Sequence, residues 1–458
     1  MYNLKNDFKN EISSNEYVEQ SNKYIHTLFS KVRSHINTDE QLKMNFDFEK
    51  SLFIRFHNGK VRQTTHVLQE IVKLELINGQ KSAKKEFTLA QDLNFDFTTS
   101  MNAIEQCRID FLTIDEDPFL SPLTSVEKSY EYFPGDDFDS DFAKLLCDSF
   151  QGKDFNGLWT SGPIIRASLT STGADHFFAT NNHFLDYSIY NGILSIKSSI
   201  AGSKWNCKKW GELLEDSLQK LKLMDLPTQR VLRGQYRVYL SPDATAELIN
   251  MFNWGGLSQD AYQRGDSALA KLVRNEVELS PKFTLIENFN LGLCPQFNSV
   301  GEVADKKLSL IENGILKNLL TSTRSFKEYG IASNHANSHE SVRSPEVLSG
   351  NLKKQDILNQ LDTGIYISNL HYLNWSEQTS ARVTGMTRFA CFWVEKGIIK
   401  GPIEHLRFDE SILEAFGNKL EAVTEERELI PNVETYGSRH LGGMLVPGML
   451  INNFTFTL

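Results

Sequence analysis

Three absences narrow the possibilities first. The chain has no Cys-x-x-C, and its five cysteines, Cys107, Cys147, Cys207, Cys294 and Cys391, are odd in number and widely spread. Neither a disulfide framework nor a zinc knuckle fits that distribution, and these residues read as small buried hydrophobes. An excess of positive charge is also missing. The chain carries 48 lysines and arginines against 58 aspartates and glutamates, for a net charge of −10. DNA-binding surfaces take most of their non-specific affinity from phosphate neutralisation, so direct nucleic-acid binding is not expected. Long apolar runs are lacking as well. The longest, "LGGMLVPGMLI" from Leu441 to Ile451, is too short for a bilayer and is interrupted by Pro447. The polar start "MYNLKNDFKNEISSNEY" has no apolar secretion core. Together these predict a soluble, cytoplasmic chain with no membrane partner.

What is present describes a globular protein. Hydrophobic residues make up 40% of the 458 positions and aromatics 11%, with 30 phenylalanines, enough for more than one core. Ile25, Leu28 and Phe29 mark an amphipathic helix over 18–32. The period then becomes two: Met44, Phe46 and Phe48, then Leu52, Ile54 and Phe56, then Val72, Leu74 and Leu76 alternate with polar residues, as half-buried strands do. "HNGK", "INGQ", "YNGI" and "ENGI" place Asn-Gly between such segments, and "EKGI" at 395–398 varies the theme. Asn and Gly adopt the positive φ of tight hairpin loops at little cost, so five hairpins are predicted. Helices are predicted at 142–150, at 207–223 and near 243–252, the second with Trp210, Leu213, Leu214, Leu218 and Leu221 on one stripe. Strands are predicted at 364–368 and in the closing "MLINNFTFTL". The expected fold class is α+β, two domains, each a mainly antiparallel sheet with packed helices. The first spans 1–225, the proline-containing segment 226–235 connects, and the second spans 236–458.

Catalytic signatures are hard to find. There is no G-x-S-x-G, no G-x-x-x-x-G-K-[ST] and no H-E-x-x-H. "SNHANSHES" offers His335, His339 and Glu340; two histidines at i and i+4 on a helix could share a zinc, but the surrounding Asn and Ser favour a loop. His176 and His183 flank the turn-like "ATNNH", and His371, His405 and His440 stand alone. The acidic runs "IDEDPF" and "FPGDDFDSD" suit solvated or helix-capping loops.

The second half, in order, resembles the TldD/PmbA (TldD/TldE) family of metallopeptidase-related proteins. The resemblance lies in "YRVYLSPDATAELINMFNWGGLSQDAYQRGDSAL", "LIENGILKNLLTSTRSFKEYGIASNHAN", "GIYISNL", "FWVEKGIIKGPIEHLRF" and "LVPGMLINNFTFTL". In catalytic members the helix after the "SP"-like turn carries a histidine, a glutamate and a second histidine five residues after the first. Aligned through Gly256-Leu257, those positions fall on Asn250, Met251 and Gly255, and no cysteine follows Cys391 to match the family's C-terminal ligand. The resemblance therefore implies a PmbA/TldE-like, non-catalytic subunit with no cofactor of its own, a zinc-type metal being expected only in a catalytic partner. The expected partners are a TldD-like catalytic subunit or a second copy of the chain, together with unfolded peptide or a peptide precursor. Arg264, His335 and Asn337 are the candidate peptide-cleft residues. The alternatives are an independent hydrolase with a metal site moved to His335 and His339, and a stand-alone peptide-binding homodimer. The family is also named for an effect on DNA gyrase, and the acidic balance fits an indirect effect better than DNA binding.

Overall fold

The computed structural model describes residues 12–121, 123, 126–192 and 194–457. Most of the N-terminal stretch, Ile193 of "YNGI" and the final Leu458 lie outside them. The first half runs α1 (Ser14–Arg33), β1 (Glu40–His57), β2 (Lys60–Asn78), β3 (Lys81–Thr88), α2 (Leu93–Asp110) and β4 (Lys128–Phe133). It continues with α3 (Phe142–Ser149), β5 (Asp154–Thr170), β6 (Asp175–Asn191), β7 (Leu194–Gly202) and α4 (Cys207–Leu223). Its seven strands form one sheet in the order β3-β2-β1-β5-β6-β4, with β7 also on β6. Every pairing is antiparallel except β4 with β6.

The alternation read from the sequence gives two cores on one long strand. Met44, Phe46 and Phe48 of β1 are buried with Ile25, Leu28 and Val32 of α1 and Ile104 of α2. Leu52, Ile54 and Phe56 enter a second core with Leu146 of α3 and Trp210 and Leu221 of α4. That second core also takes in Ala390 and Phe392 from the C-terminal half. Helix α2 was not foreseen. Asp92 caps it, accepting from the N–H groups of Asn94 and Phe95, but only Asp96, Ser100, Ile104 and Cys107 are buried along its length. So few apolar contacts leave little period to read.

The second half runs β8 (Gly234–Leu240), α5 (Pro242–Asn250), α6 (Gln259–Gln263), α7 (Ala270–Val273), β9 (Leu285–Asn288), β10 (Lys307–Glu312) and β11 (Ile315–Leu316). Next come α8 (Thr323–Tyr329), β12 (Pro345–Val347), α9 (Ile357–Leu361), β13 (Gly364–Ile367), β14 (Asn369–Glu377), β15 (Arg382–Arg388) and β16 (Phe392–Glu395). The chain ends with β17 (Ile398–Pro402), β18 (Arg407–Ser411), α10 (Ile412–Ala415), β19 (Leu420–Pro431) and β20 (Gly443–Phe456). These strands form a second, mixed but mainly antiparallel sheet, in which β8 lies between β20 and β13. All five predicted hairpins form. At Asn58-Gly59, Asn313-Gly314 and Lys396-Gly397 both loop residues have positive φ, as the primed two-residue loop requires. No helix among the described residues is long and apolar enough to cross a membrane.

One local expectation fails. "ATNNH" is not a turn: β6 runs through it without a break, and His176 and His183 are both buried. The turn-forming side chains serve tertiary contacts instead. Asn181 Nδ2 donates to the carbonyls of Gly135 and Asp136, each at 3.2 Å. Asn182 opposite Gly162 receives Arg439 from the C-terminal half, whose Nη2 donates to its carbonyl at 3.1 Å. Gly162 sits where β1–β5 pairing is interrupted, and a β-carbon there would meet the carbonyl oxygen of Lys50 at 2.2 Å. Only glycine leaves that opening.

Candidate functional site

Helix α5 organises the site. Ser241 caps it, accepting from the Ala244 N–H at 3.2 Å while its hydroxyl donates to the Ser368 carbonyl, and Pro242 occupies the first turn. Ala244, Thr245, Ala246, Leu248 and Ile249 bury one side against the second sheet. Asp243, Glu247 and Asn250, at i, i+4 and i+7, form the opposite stripe. Two cavities flank it. Asp243 lines one of 220 Å³ with Asp216 and Lys220 of α4, Tyr366 and Glu428. Glu247 and Asn250 line a larger cleft of 770 Å³, walled by Asn253, Asn298, Asn337 and Asn432.

The electrostatics of the stripe shift both of its carboxyls upward. Burial, reinforced by Glu428 and opposed by Lys220 and Lys197, pushes Asp243 up to about 7. Glu247 keeps contact with solvent but lies deep enough that desolvation raises it too, against the opposing charge of Lys197. Lys197 itself is bound to Asp186 at 2.6 Å. Lys220 stays charged: burial opposes this, but Tyr366, Asp216 at 2.8 Å and Glu428 together outweigh it.

The cleft walls are rich in side-chain amides that already shape their own loops. Asn253 Oδ1 accepts from the Val342 N–H at 2.8 Å, and Asn337 Oδ1 from the N–H groups of His339 and Ser341, each at 3.1 Å. Asn298 Oδ1 accepts from the N–H groups of Val300 and Glu302. Cys294 also lines the cleft, but burial pushes its thiol up to about 12 and it donates to the Arg343 carbonyl, so it is not a thiolate nucleophile.

The three positions aligned with the peptidase motif separate in space. Asn250 is exposed on the cleft. Met251 is buried in the apolar core with Phe252 and Leu248, and Gly255 sits in a turn at φ +81°. An amide, a buried thioether and a residue without a side chain do not fit a zinc site, which takes imidazole, thiolate or carboxylate ligands around one point. Among the other sequence candidates, Asn337 and His339 line the cleft, while His335 and Arg264 do not. His335 lies in a loop at φ +60°. Arg264 is exposed at the end of α6, 3.0 Å from Asp260 and 3.8 Å from Asp266. Glu340 is engaged elsewhere: it is buried and accepts from Ser258 Oγ and from the Asp260 and Ser322 N–H groups. No group of three or more His, Cys, Asp or Glu among the described residues is arranged to hold a metal. Asp243 and Glu247 were missed, although the 243/247/250 stripe marks them as facing away from the core.

Residues 233–458 match a family profile described as "PmbA/TldA metallopeptidase C-terminal domain". The fold is shared more widely. TldE from Thermococcus kodakarensis superposes with a TM-score of 0.78 at 16% identity, over 95% of this chain and all of that one. A Thermotoga maritima protein described as a candidate modulator of a DNA gyrase gives 0.72 at 13%, covering 95% and 99% of the two chains. A similarly described protein from Bacteroides thetaiotaomicron gives 0.69 at 15%, covering 96% and 99%. No curated protein matches the chain in sequence.

Proposed function

Because the chain belongs to the TldD/PmbA family, its residues 233–458 carrying the family's C-terminal domain, we propose that it is the non-catalytic, PmbA/TldE-like subunit of a cytoplasmic peptidase. One observation carries this reading. Of the three motif positions only Asn250 reaches the cleft, and neither its amide, the buried Met251 nor Gly255 supplies a metal ligand or a general base. A TldD-like partner then provides the metal-bound water and its base, and this chain provides part of the chamber wall. The 770 Å³ cleft has room for a stretch of extended, unfolded peptide, whose unpaired main-chain N–H and C=O groups need partners. Glu247 and Asn250 are the side chains on α5 placed to make such contacts.

The reading with a relocated metal has less support, since His339 lines the cleft and His335 does not. Binding of a fluorescent unfolded peptide, followed by anisotropy, tests the peptide-docking role. Glu247→Ala and Asn250→Ala are each expected to weaken it up to about tenfold, the effect of one lost hydrogen bond. Affinity unchanged in both variants would remove α5 from the docking surface.

A further inference from the structure

The 220 Å³ cavity beside Asp243 opens where the two halves of the chain meet. Helix α4 supplies Lys220 and Asp216, β8 supplies Tyr239, β13 Tyr366 and β19 Glu428. Its buried cations are already taken. Lys220 is bound to Asp216 at 2.8 Å and Lys197 to Asp186 at 2.6 Å. Among the described residues no cation lies within 4 Å of the carboxyl of Asp243 or Glu428, and neither carboxyl accepts a hydrogen bond. The other lysines of the lining, Lys209 and Lys354, are exposed, as are Glu212 and Glu426. Asp243 is half-buried, and burial and then the charge of Glu428 act on it in the same direction.

Tyr239 adds a further unused oxygen to the lining. It is 3% exposed, its ring lies 5.1 Å from that of Tyr366, and among the described residues its hydroxyl has no hydrogen-bond partner. Gly448 makes room for that hydroxyl, since a β-carbon there would meet it at 2.2 Å. Carboxylates and a phenol oxygen without donors call for a group that donates and carries positive charge. No three metal-ligating side chains converge to hold an ion among the described residues, so the fitting cation is an organic one. A primary ammonium brings three donors on one charge.

Two elements run from this cavity into the peptide cleft. On α5 the stripe passes from Asp243 in the cavity to Glu247 and Asn250 in the cleft. On β19, Glu428 lines the cavity, and Ile430, on the same face of the strand, lines the cleft. Seven residues of helix advance about 10 Å, which an extended peptide covers in about three residues. We propose that the cavity takes a primary ammonium group of the docked peptide, its amino terminus or a lysine side chain, with Asp243 as the acceptor and Glu428 adding to the negative field. This rests on the peptide-docking role proposed above and gives it a preference: positive charge about three residues from the segment beside Asn250.

The test uses the full chain and the anisotropy of an unfolded, lysine-free peptide labelled at its carboxyl end. Acetylating the amino terminus is expected to weaken binding about tenfold, the effect of one hydrogen bond to a charged group. One lysine placed at the first or the third position of the acetylated peptide tells a side-chain source from the terminus. Tightening by either ammonium, dependent on Asp243, bears the proposal out and identifies the source. In Asp243→Asn the preference is expected to disappear and in Glu428→Gln to shrink, while the acetylated peptide binds both as it binds the wild type. Glu428 is exposed on its strand, so its variant decides the matter if Asp243→Asn does not fold. The proposal is overturned if neither ammonium changes affinity. It is also overturned if the folded variants keep the full preference, which marks diffuse attraction to an acidic chain. Binding indifferent to ammonium groups leaves the docking role standing, whereas no binding of any peptide removes that role and the proposal together.

Discussion

Glu340 and Ser258, 82 residues apart in the chain, meet in a buried hydrogen bond of 2.8 Å from the serine hydroxyl to the carboxylate. The same carboxylate accepts from the N–H groups of Asp260 and Ser322, each at 2.7 Å, and so ties the start of α6 to the start of α8. A glutamate beside two histidines suggested a metal site, but it is a loop clamp.

Burial raises the Glu340 carboxyl, but the N–H groups of Asp260 and Ser322 and the hydroxyls of Ser325 and Ser258 outweigh it and hold the group below the usual range. A folded-state pKa below the unfolded one contributes stability above the unfolded value, and that stability is lost as pH falls through the folded value. Glu340→Gln is expected to cost about 2 kcal/mol at pH 7 in urea unfolding. The difference between variant and wild type should shrink as pH drops below about 4.

Asp243 has the opposite sign. Its folded pKa is raised to about 7, so the folded state holds a proton that the unfolded chain has released. Stability therefore falls from the unfolded carboxyl value, about 4, up to about 7, and is level above that. Asp243→Asn should flatten melting temperature against pH across this window. Carbon-13 NMR of the carboxyl, with a titration midpoint near 7, checks the assignment directly.

Restoring the family's residue types should not rebuild its metal site. Met251 is buried among apolar side chains, so Met251→Glu is expected to destabilise by about 3 kcal/mol. A β-carbon at Gly255 would strain backbone at φ +81°. The triple variant Asn250→His, Met251→Glu, Gly255→His should bind no stoichiometric zinc by mass spectrometry.

Arg439 joins the halves of the chain by hydrogen-bonding Ser51, Gly162 and Asn182 of the first sheet. Arg439→Ala leaves those acceptors buried and unpaired, and should cost about 3 kcal/mol in urea unfolding. Faster proteolytic cleavage within 432–442 should accompany the loss.

Much of the architecture was legible because local chemistry decides it. Asn58-Gly59 and Asn313-Gly314 can close tight hairpins at low cost, and Met44, Phe46 and Phe48 alternate because one face of β1 is buried. The residues that escaped the reading serve distant contacts. Asn181 and Asn182 look like a turn until Arg439 and the 135–137 loop supply their partners. In the site, Asn250 and Asn337 were placed by the family resemblance and both line the cleft. Asp243 and Glu247 owe their raised carboxyl values to desolvation, reinforced at Asp243 by Glu428, which the helical stripe alone does not reveal.

The most direct test of the central claim is metal content and peptide cleavage on the chain purified without a histidine tag, alone and co-expressed with a TldD-like subunit. The account predicts that the lone chain neither holds stoichiometric metal nor cleaves an unfolded peptide, and that the co-purified complex does both in a chelator-sensitive way. Stoichiometric metal with chelator-sensitive cleavage by the lone chain would contradict it.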